Sequence, residues 1–595
     1  MSISPVEVAR VDGGPLWVEA VGAEIWWDEP RPHEGGRRCV VRRTADGRLA
    51  DVLPQGWNAR NRLIEYGGRS WRPLPGGGLV FTDWERQRVF LLLDGEPVAI
   101  SPEGRFGDLY VPPGLDEVWA VREVGTVRDI VAIPLDGGPS RVLVRAQHFL
   151  MNPRISPDGQ HIAWIGWDHP NMPWDGTELC VMALDGGPCQ VVAGGPAESV
   201  VQAEWRDATS LYAVTDPTGW WNLHLVGLDG SQRNLTPMPL EFGDAVWKPG
   251  NTWFAVAGER VVTLYGTADR RRIGVLDPAT GELRELPGDW TWWSASVSAG
   301  DGVAVGVSAS PYSPLEVTAV ELDGGGHAVV SAPRQVPARE LLPTPEAVTI
   351  DGVHAHLYPP LGVSGPAPYV VFAHGGPTGS RPLVLDLEIS FFTSRGIGVA
   401  QVNYGGSTGY GRAYRERLRH QWGVVDVQDC AVVARGLVEL GRADAFRLAI
   451  RGGSAGGWTT VAALVHSDVF AGGVAHYAIT DPEGWAAETH DFESRYLDGL
   501  IGPLDSERQR YLDRSPLLHA AQASGPVLMM HGLEDAIVDV SQAERFVAEL
   551  DRHGKEWALL TFPGEQHGWR REETIVAVLE AELAFYERIF KGYDR

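Results

Sequence analysis

Cysteine is scarce in this chain. Four in 595 residues (Cys39, Cys180, Cys189 and Cys430) are too few for a disulfide framework. Cys180 and Cys189 could face each other across a hairpin, but free thiols in a reducing cytosol are the expectation. Basic clusters are missing too. Acidic residues outnumber basic ones by 77 to 51, the excess is spread over both halves, and no Lys/Arg-rich face suited to a nucleic acid is visible. No uncharged stretch approaches about 18 apolar residues, and Met1 to Val11 contains no basic-then-apolar leader, so neither a membrane span nor export is expected. No phosphate-cradling glycine loop with its lysine precedes a helix. These absences leave a cytoplasmic globular protein, long enough for two domains.

Glycine (72) and proline (42) are plentiful, which favours many turns and short strands. Before residue 335 an apolar-Asp-Gly turn, or a near relative, recurs at Asp46, Asp94, Asp136, Asp185, Asp229, Asp277 and Asp323. Asp-Gly between β-rich runs is a hairpin signal, because glycine tolerates the positive φ of such turns. A hairpin returning every 42 to 49 residues has the period of propeller blades, and seven marks predict seven blades. Segments such as Gly159 to Trp167 alternate apolar with small or polar residues, as half-buried strands do. Eighteen of the 23 tryptophans precede residue 342, where broad rings would pack between blades, although Trp220-Trp221 could line a central channel.

Four prolines between Ser331 and Pro345 break this rhythm. The expected organisation is a seven-bladed β-propeller over residues 1–335, a linker at 336–345 and a second domain over 346–595. In the second domain, short apolar runs (Tyr369 to Ala373, Ile397 to Val402, Arg447 to Ile450, Phe470 to Ala475, Pro526 to Met530) alternate with helical stretches. Those helices are expected near Val424 to Leu440, Gln542 to His553 and Glu572 to Phe590. Strand-helix alternation with buried apolar strands predicts an α/β fold with a mostly parallel sheet, here an α/β-hydrolase domain.

Arg451-Gly-Gly-Ser-Ala-Gly-Gly-Trp458 follows one apolar run and opens a helix, the context of a nucleophile elbow with Ser454 at its tip. The serine needs a base, and the base an orienting carboxylate, in the order Ser, acid, His. His531-Gly-Leu-Glu-Asp535 follows the next-to-last strand. Asp535 is the expected acid, with Asp539 the fallback and Glu534 a solvated neighbour. His567, in a glycine-flanked loop after the last strand, is the expected base. For the oxyanion, the backbone N–H of Ala455 is one expected donor, and Gly376 in His374-Gly-Gly-Pro377 is a candidate for the second. His354 and His356 alternate on a predicted strand without a third ligand, so a structural role is expected there and no metal.

A sevenfold β repeat followed by Ser454, Asp535 and His567 resembles the prolyl oligopeptidase family, most closely its acylaminoacyl peptidases and bacterial dipeptidyl- or aminopeptidases. His374-Gly-Gly-Pro377, Asn403-Tyr-Gly-Gly-Ser-Thr-Gly-Tyr-Gly411 and His531-Gly-x-x-Asp-x-x-Val538 carry the resemblance. The stretch Thr489 to Gly499 is similar to family aminopeptidases that hydrolyse puromycin-like aminoacyl amides. Gly405, Ala455 and Asp539 stand where the family often has Arg, Tyr and Pro, and Ala455 keeps the N–H. Tyr404 matches the position that supplies the second oxyanion donor in some members, so Gly376 and Tyr404 both stand as candidates.

The resemblance implies cleavage of short peptides or aminoacyl and acylaminoacyl amides through an acyl-enzyme, near the substrate's N-terminus. The propeller would act as a size filter, and no cofactor or metal is implied. Glu493 is a candidate to pair with a substrate amine and Arg495 with a carboxylate, unless the two pair with each other. Two rival readings remain, a carboxylesterase on the same domain and a non-catalytic scaffold, and assembly as a homo-oligomer is left open.

Overall fold

The structure, a computed structural model, describes residues 2–11 and 13–591. Seven four-stranded antiparallel sheets occupy residues 18–51, 71–99, 105–144, 149–194, 200–234, 254–285 and 292–329. Every recurrent Asp turn of the sequence falls at one place, the hairpin joining a blade's third and fourth strands. Six of the seven put glycine directly after the aspartate at φ between +79° and +102°, the left-handed backbone such a turn requires. The exception is Asp277, whose carboxylate accepts from the N–H of Ala279 instead, with the glycine delayed to Gly281.

Each sheet is built from consecutive strands, so the ring closes by packing and not by a shared strand. Ser296 and Ser298 of the last blade accept hydrogen bonds from the N–H groups of Val18 (2.9 Å) and Ala20 (3.1 Å) in the first. Val18, Trp27 and Val41 meet Val305, Val307 and Val317 in the same seam. The tryptophans largely take the inter-blade role, with Trp27, Trp71, Trp119, Trp164, Trp174, Trp221, Trp253 and Trp293 fully buried. Trp221 lies under the Arg415 guanidinium of the second domain (4.1 Å) and Trp220 against Gly411, so this pair meets the domain interface.

The second domain is an eight-stranded sheet. In spatial order its strands are Glu346–Ile350, Val353–Tyr358, Gly398–Asn403, Ala367–Ala373, Ala443–Gly453, Gly473–His476, Val527–Gly532 and Trp557–Phe562. The first two are antiparallel to their neighbours and the rest run parallel. Helices Val425–Glu439, Ser541–Arg552 and Glu572–Lys591 stand within a residue of their expected bounds. The strand that ends at the elbow is central, so its carboxyl end opens where loops from both sides converge.

One expectation needs amendment. Helix Pro5–Val11, counted with the propeller on sequence, belongs to the other core: Ile3, Val8 and Ala9 are buried with Phe585, Tyr586, Ile589 and Phe590 of the final helix. A seven-residue helix has too little pattern to reveal a partner 580 residues away. The chain therefore starts on the hydrolase domain, builds the propeller, and returns.

The interface between domains is polar as well as aromatic. Asp216 of the propeller, fully buried, receives both Arg412 and Arg415 at 2.8 to 2.9 Å. Glu241 accepts from the N–H of Gly411 at 3.0 Å and from that of Trp221 at 2.9 Å.

Candidate active site

Ser454 sits between strand Ala443–Gly453 and helix Ala455–His466 with φ +56° and ψ −121°, a conformation that non-glycine residues rarely hold. Three glycines and one backbone bond enforce it. A Cβ on Gly452 would strike the carbonyl of Gly456, one on Gly456 the carbonyl of Ala373, and one on Gly453 the ring of Tyr477. The N–H of Ser454 donates to His476 O at 2.9 Å. The helix that follows directs its first N–H groups toward the tip, where negative charge is favoured.

Asp535 lies in the loop after strand Val527–Gly532. One of its oxygens accepts from the N–H groups of Ile537 (2.9 Å) and Val538 (3.0 Å), and the other meets His567 Nδ1 at 2.7 Å. Burial acts to raise this carboxyl, but the His567 charge and these hydrogen bonds outweigh it and hold it below the usual carboxylate range. The fallback acid, Asp539, is occupied in its own turn by the N–H of Ser541. Glu534 is exposed, as a solvated neighbour would be.

Ser454 and His567 line one cavity of about 800 Å³, with His374, Gly375 and Gly376 beside them and Tyr66, Trp247 and Lys248 of the propeller above. Gly375 packs so close that an added Cβ would stand 3.3 Å from Ser454 Cβ. That closeness brings the His374–Gly376 backbone alongside Ser454.

Tyr404, one of the two candidates for the second oxyanion donor, does not line that cavity. Its hydroxyl donates to His374 O at 2.8 Å, and its ring stacks on the His374 imidazole at 4.3 Å. The proton an oxyanion would need is engaged by a backbone carbonyl, so Tyr404 shapes the glycine loop from behind. The same loop is fixed by His374 Nε2 against Ser407 Oγ at 2.8 Å. Burial first, and the nearby Arg381 charge second, depress His374 to about 3, which keeps it neutral.

Glu493 and Arg495 do not pair with each other. Glu493 is buried, accepts from Tyr66 Oη at 3.0 Å, and lies 3.0 Å from His490 Nε2. Tyr66 itself lines the cavity, which leaves Glu493 one hydrogen bond behind the wall. Arg495 points elsewhere: its half-exposed side chain donates to Asp498 at 2.7 Å, because position 495 begins the short helix Tyr496–Leu500.

Several contributors have no sequence signal of their own. Tyr477, at φ +36°, packs its ring 4.7 Å from that of His567. Trp569 donates to His476 Nδ1 at 2.8 Å, and His476 Nε2 lies 2.9 Å from the fully buried Glu582. Glu582 also binds Arg451 of the elbow strand at 3.0 Å, and Arg451 reaches Glu388 at 2.9 Å. Of these, Arg451 was visible in advance only as the first residue of the elbow motif.

His354 and His356 share one face of strand Val353–Tyr358. His354 stacks on Tyr410 at 3.9 Å, and His356 meets Asp269 of the propeller at 2.9 Å, which is a structural tie. Among the described residues one group of three metal-capable side chains converges, His148, His169 and Asp491. Arg128 lies 2.6 Å from that carboxylate, so the group reads as an ion-paired bridge between domains.

Comparison with known proteins agrees with this fold. The prolyl oligopeptidase family model matches residues 384–593. A crystal structure of puromycin hydrolase is 44% identical with a TM-score of 0.95, covering 99% of this chain and 96% of that one. The puromycin-hydrolyzing peptidase of Mycobacterium tuberculosis is 42% identical with a TM-score of 0.96 over the same shares. The acylamino-acid-releasing enzyme of Arabidopsis thaliana is 29% identical over 218 residues, which is 35% of this chain and 28% of that protein. The matched part thus spans under a third of that curated relative, whereas the solved structures match end to end. The chain belongs to the prolyl oligopeptidase family of serine peptidases.

Proposed function

We propose that this protein hydrolyses short peptides or aminoacyl and acylaminoacyl amides near their N-terminus, through an acyl-enzyme on Ser454. The observation that carries the reading is the bonded pair Asp535–His567 opening into the same roofed cavity as the strained Ser454. His567 takes the proton of Ser454 as the oxygen attacks the carbonyl, and passes it to the leaving amine. Asp535 holds Nδ1 and stabilises the imidazolium. The N–H groups of Ala455 and Gly376 receive the oxyanion. Water then enters by the same base to release the acyl group.

The roof of Tyr66, Trp247 and Lys248 limits the substrate to what fits between the domains. Trp247 is braced by Tyr66, Trp174 and Tyr496 at ring distances of 5.3, 4.5 and 5.8 Å, so the roof is a packed aromatic wall. Asp386 on the cavity wall, with Glu493 behind Tyr66, favours a substrate with a free amine, while Glu388 beside it is held by Arg451. The four unpaired cysteines fit a reducing cytoplasm.

A fluorophosphonate probe should label the wild type and leave Ser454→Ala unlabelled. Aminoacyl and acetylaminoacyl nitroanilides, compared with short nitrophenyl esters, decide between peptidase and esterase: turnover of esters alone would sink the proposal.

A further inference from the structure

A second cavity, of about 360 Å³, adjoins the catalytic one, and Tyr66, Lys248 and His567 line both. Its walls carry Arg38, Arg60, Arg62, Lys248 and Arg570 against only two carboxylates, Glu65 and Glu534. In a chain of net charge −26 this gathering of cations is out of character.

Most of the cations lack a counter-charge. Arg38 is paired with Asp28, and Glu65 is taken by Arg105. Arg60 and Arg62 lie over the Trp84 ring at 4.0 and 4.4 Å, and no carboxylate meets either guanidinium among the described residues. Arg570 donates to the carbonyls of His567 and Gly568, each at 3.2 Å. Lys248 has no polar partner among the described residues. Burial first, then Arg38, Arg60 and Arg570, depress Lys248 to about 8. Like charges held together in a partly dry pocket are unfavourable until an anion joins them.

The side of the scissile bond follows from the proton. His567 hands it to the leaving amine, so whatever follows the cleaved bond lies on the His567 side. The cationic cavity shares His567 but contains neither Ser454 nor the His374–Gly376 loop. We propose that this cavity is a carboxylate-binding subsite for the leaving portion of the substrate, with Arg60, Arg62, Lys248 and Arg570 as its donors. The inference rests on the peptidase reading above. The carboxylate can be the terminus of a short peptide or an acidic side chain.

The test compares aminoacyl-Gly-Gly as free acid and as amide, using the aminoacyl group best cleaved as a nitroanilide. The free acid should show kcat/KM about tenfold or more above the amide, the size expected of charge-assisted hydrogen bonds. The double variant Arg60→Gln, Lys248→Met should bring that ratio close to one; a folding defect would lower both substrates and leave the ratio in place. Amidated aminoacyl-Gly-Asp separates the sources: acid-like rates assign the subsite to side-chain carboxylates, slow rates to the chain terminus. Titration of the Ser454→Ala protein with glycylglycine and with its amide reads the pocket without turnover, and the acid should bind more tightly. Equal rates for acid and amide in the wild type, or equal binding of the two fragments, overturns the subsite. Absence of all amide and nitroanilide turnover overturns the peptidase reading instead.

Discussion

Tyr404→Phe separates a residue that shapes the oxyanion loop from one that donates to the oxyanion. The substitution removes one hydroxyl and keeps the ring, so the stack on His374 survives and only the 2.8 Å bond to His374 O is lost. That carbonyl is left buried without this donor, an omission that costs about 1–3 kcal/mol of stability. The glycine loop retains the His374–Ser407 bond, so the hole should loosen without losing a donor. The expected result is a lower urea midpoint with kcat reduced less than about tenfold, since removal of a direct oxyanion donor costs roughly 10² to 10³. Steady-state hydrolysis of an aminoacyl nitroanilide and equilibrium unfolding on the same preparation measure both. A hundredfold loss of kcat at an unaltered midpoint would refute the reasoning and return Tyr404 to the oxyanion hole.

Asp535→Asn keeps an acceptor for the N–H groups of Ile537 and Val538 but presents an amide to His567 Nδ1, which fixes the wrong tautomer. A fall in kcat of about 10⁴ with KM little altered is expected, and a fall below tenfold would remove Asp535 from the triad. Glu582 tests the network under the elbow. Burial opposes its ionisation, but Arg451 and His476 prevail and lower its carboxyl from 4.5 to about 2. A depressed carboxyl contributes stability above pH 4.5 that is lost as pH falls toward 2. Glu582→Gln should therefore cost about 3 kcal/mol near pH 7 and flatten the acid limb of the stability curve. Urea titrations at several pH values in both proteins check this, and parallel limbs would exclude Glu582 as their source.

What the sequence disclosed, and what it hid, follows from the range of the forces involved. The seven Asp turns were legible because a tight hairpin is decided by a few adjacent residues, Asp-Gly in six of them, and all seven occupy the same turn of their blades. That Ser454, Asp535 and His567 would lie at the same end of the sheet could be read in advance because each follows its own strand, so chain order stands in for spatial order. The choice between Gly376 and Tyr404 was not legible because motif identity places the Tyr404 ring but does not orient its hydroxyl, which the His374 carbonyl claims. The surroundings of Arg495 were hidden for a similar reason: its partner is Asp498, three residues away, and not Glu493. The cationic cavity gathers residues from positions 38 to 570, and nothing local announces such a cluster.

The chain crosses between its domains twice, and the crossings run side by side. Arg334 on the returning segment donates to the carbonyls of Val11 and Gly13 on the departing one, lacing the two together. The propeller is thus an insert joined covalently at a single paired crossing, and the rest of its hold on the hydrolase domain is non-covalent, through ties such as Asp216 with Arg412 and Arg415, His356 with Asp269 and Arg128 with Asp491. The same arrangement dictates how the protein can be cut. A chain begun at residue 336 would carry Ser454, Asp535 and His567 yet lack Ile3, Val8 and Ala9, uncovering part of the apolar surface around the final helix. Joining the segment 2–11 back to it through a short linker in place of the propeller is what would give the catalytic half a complete interior.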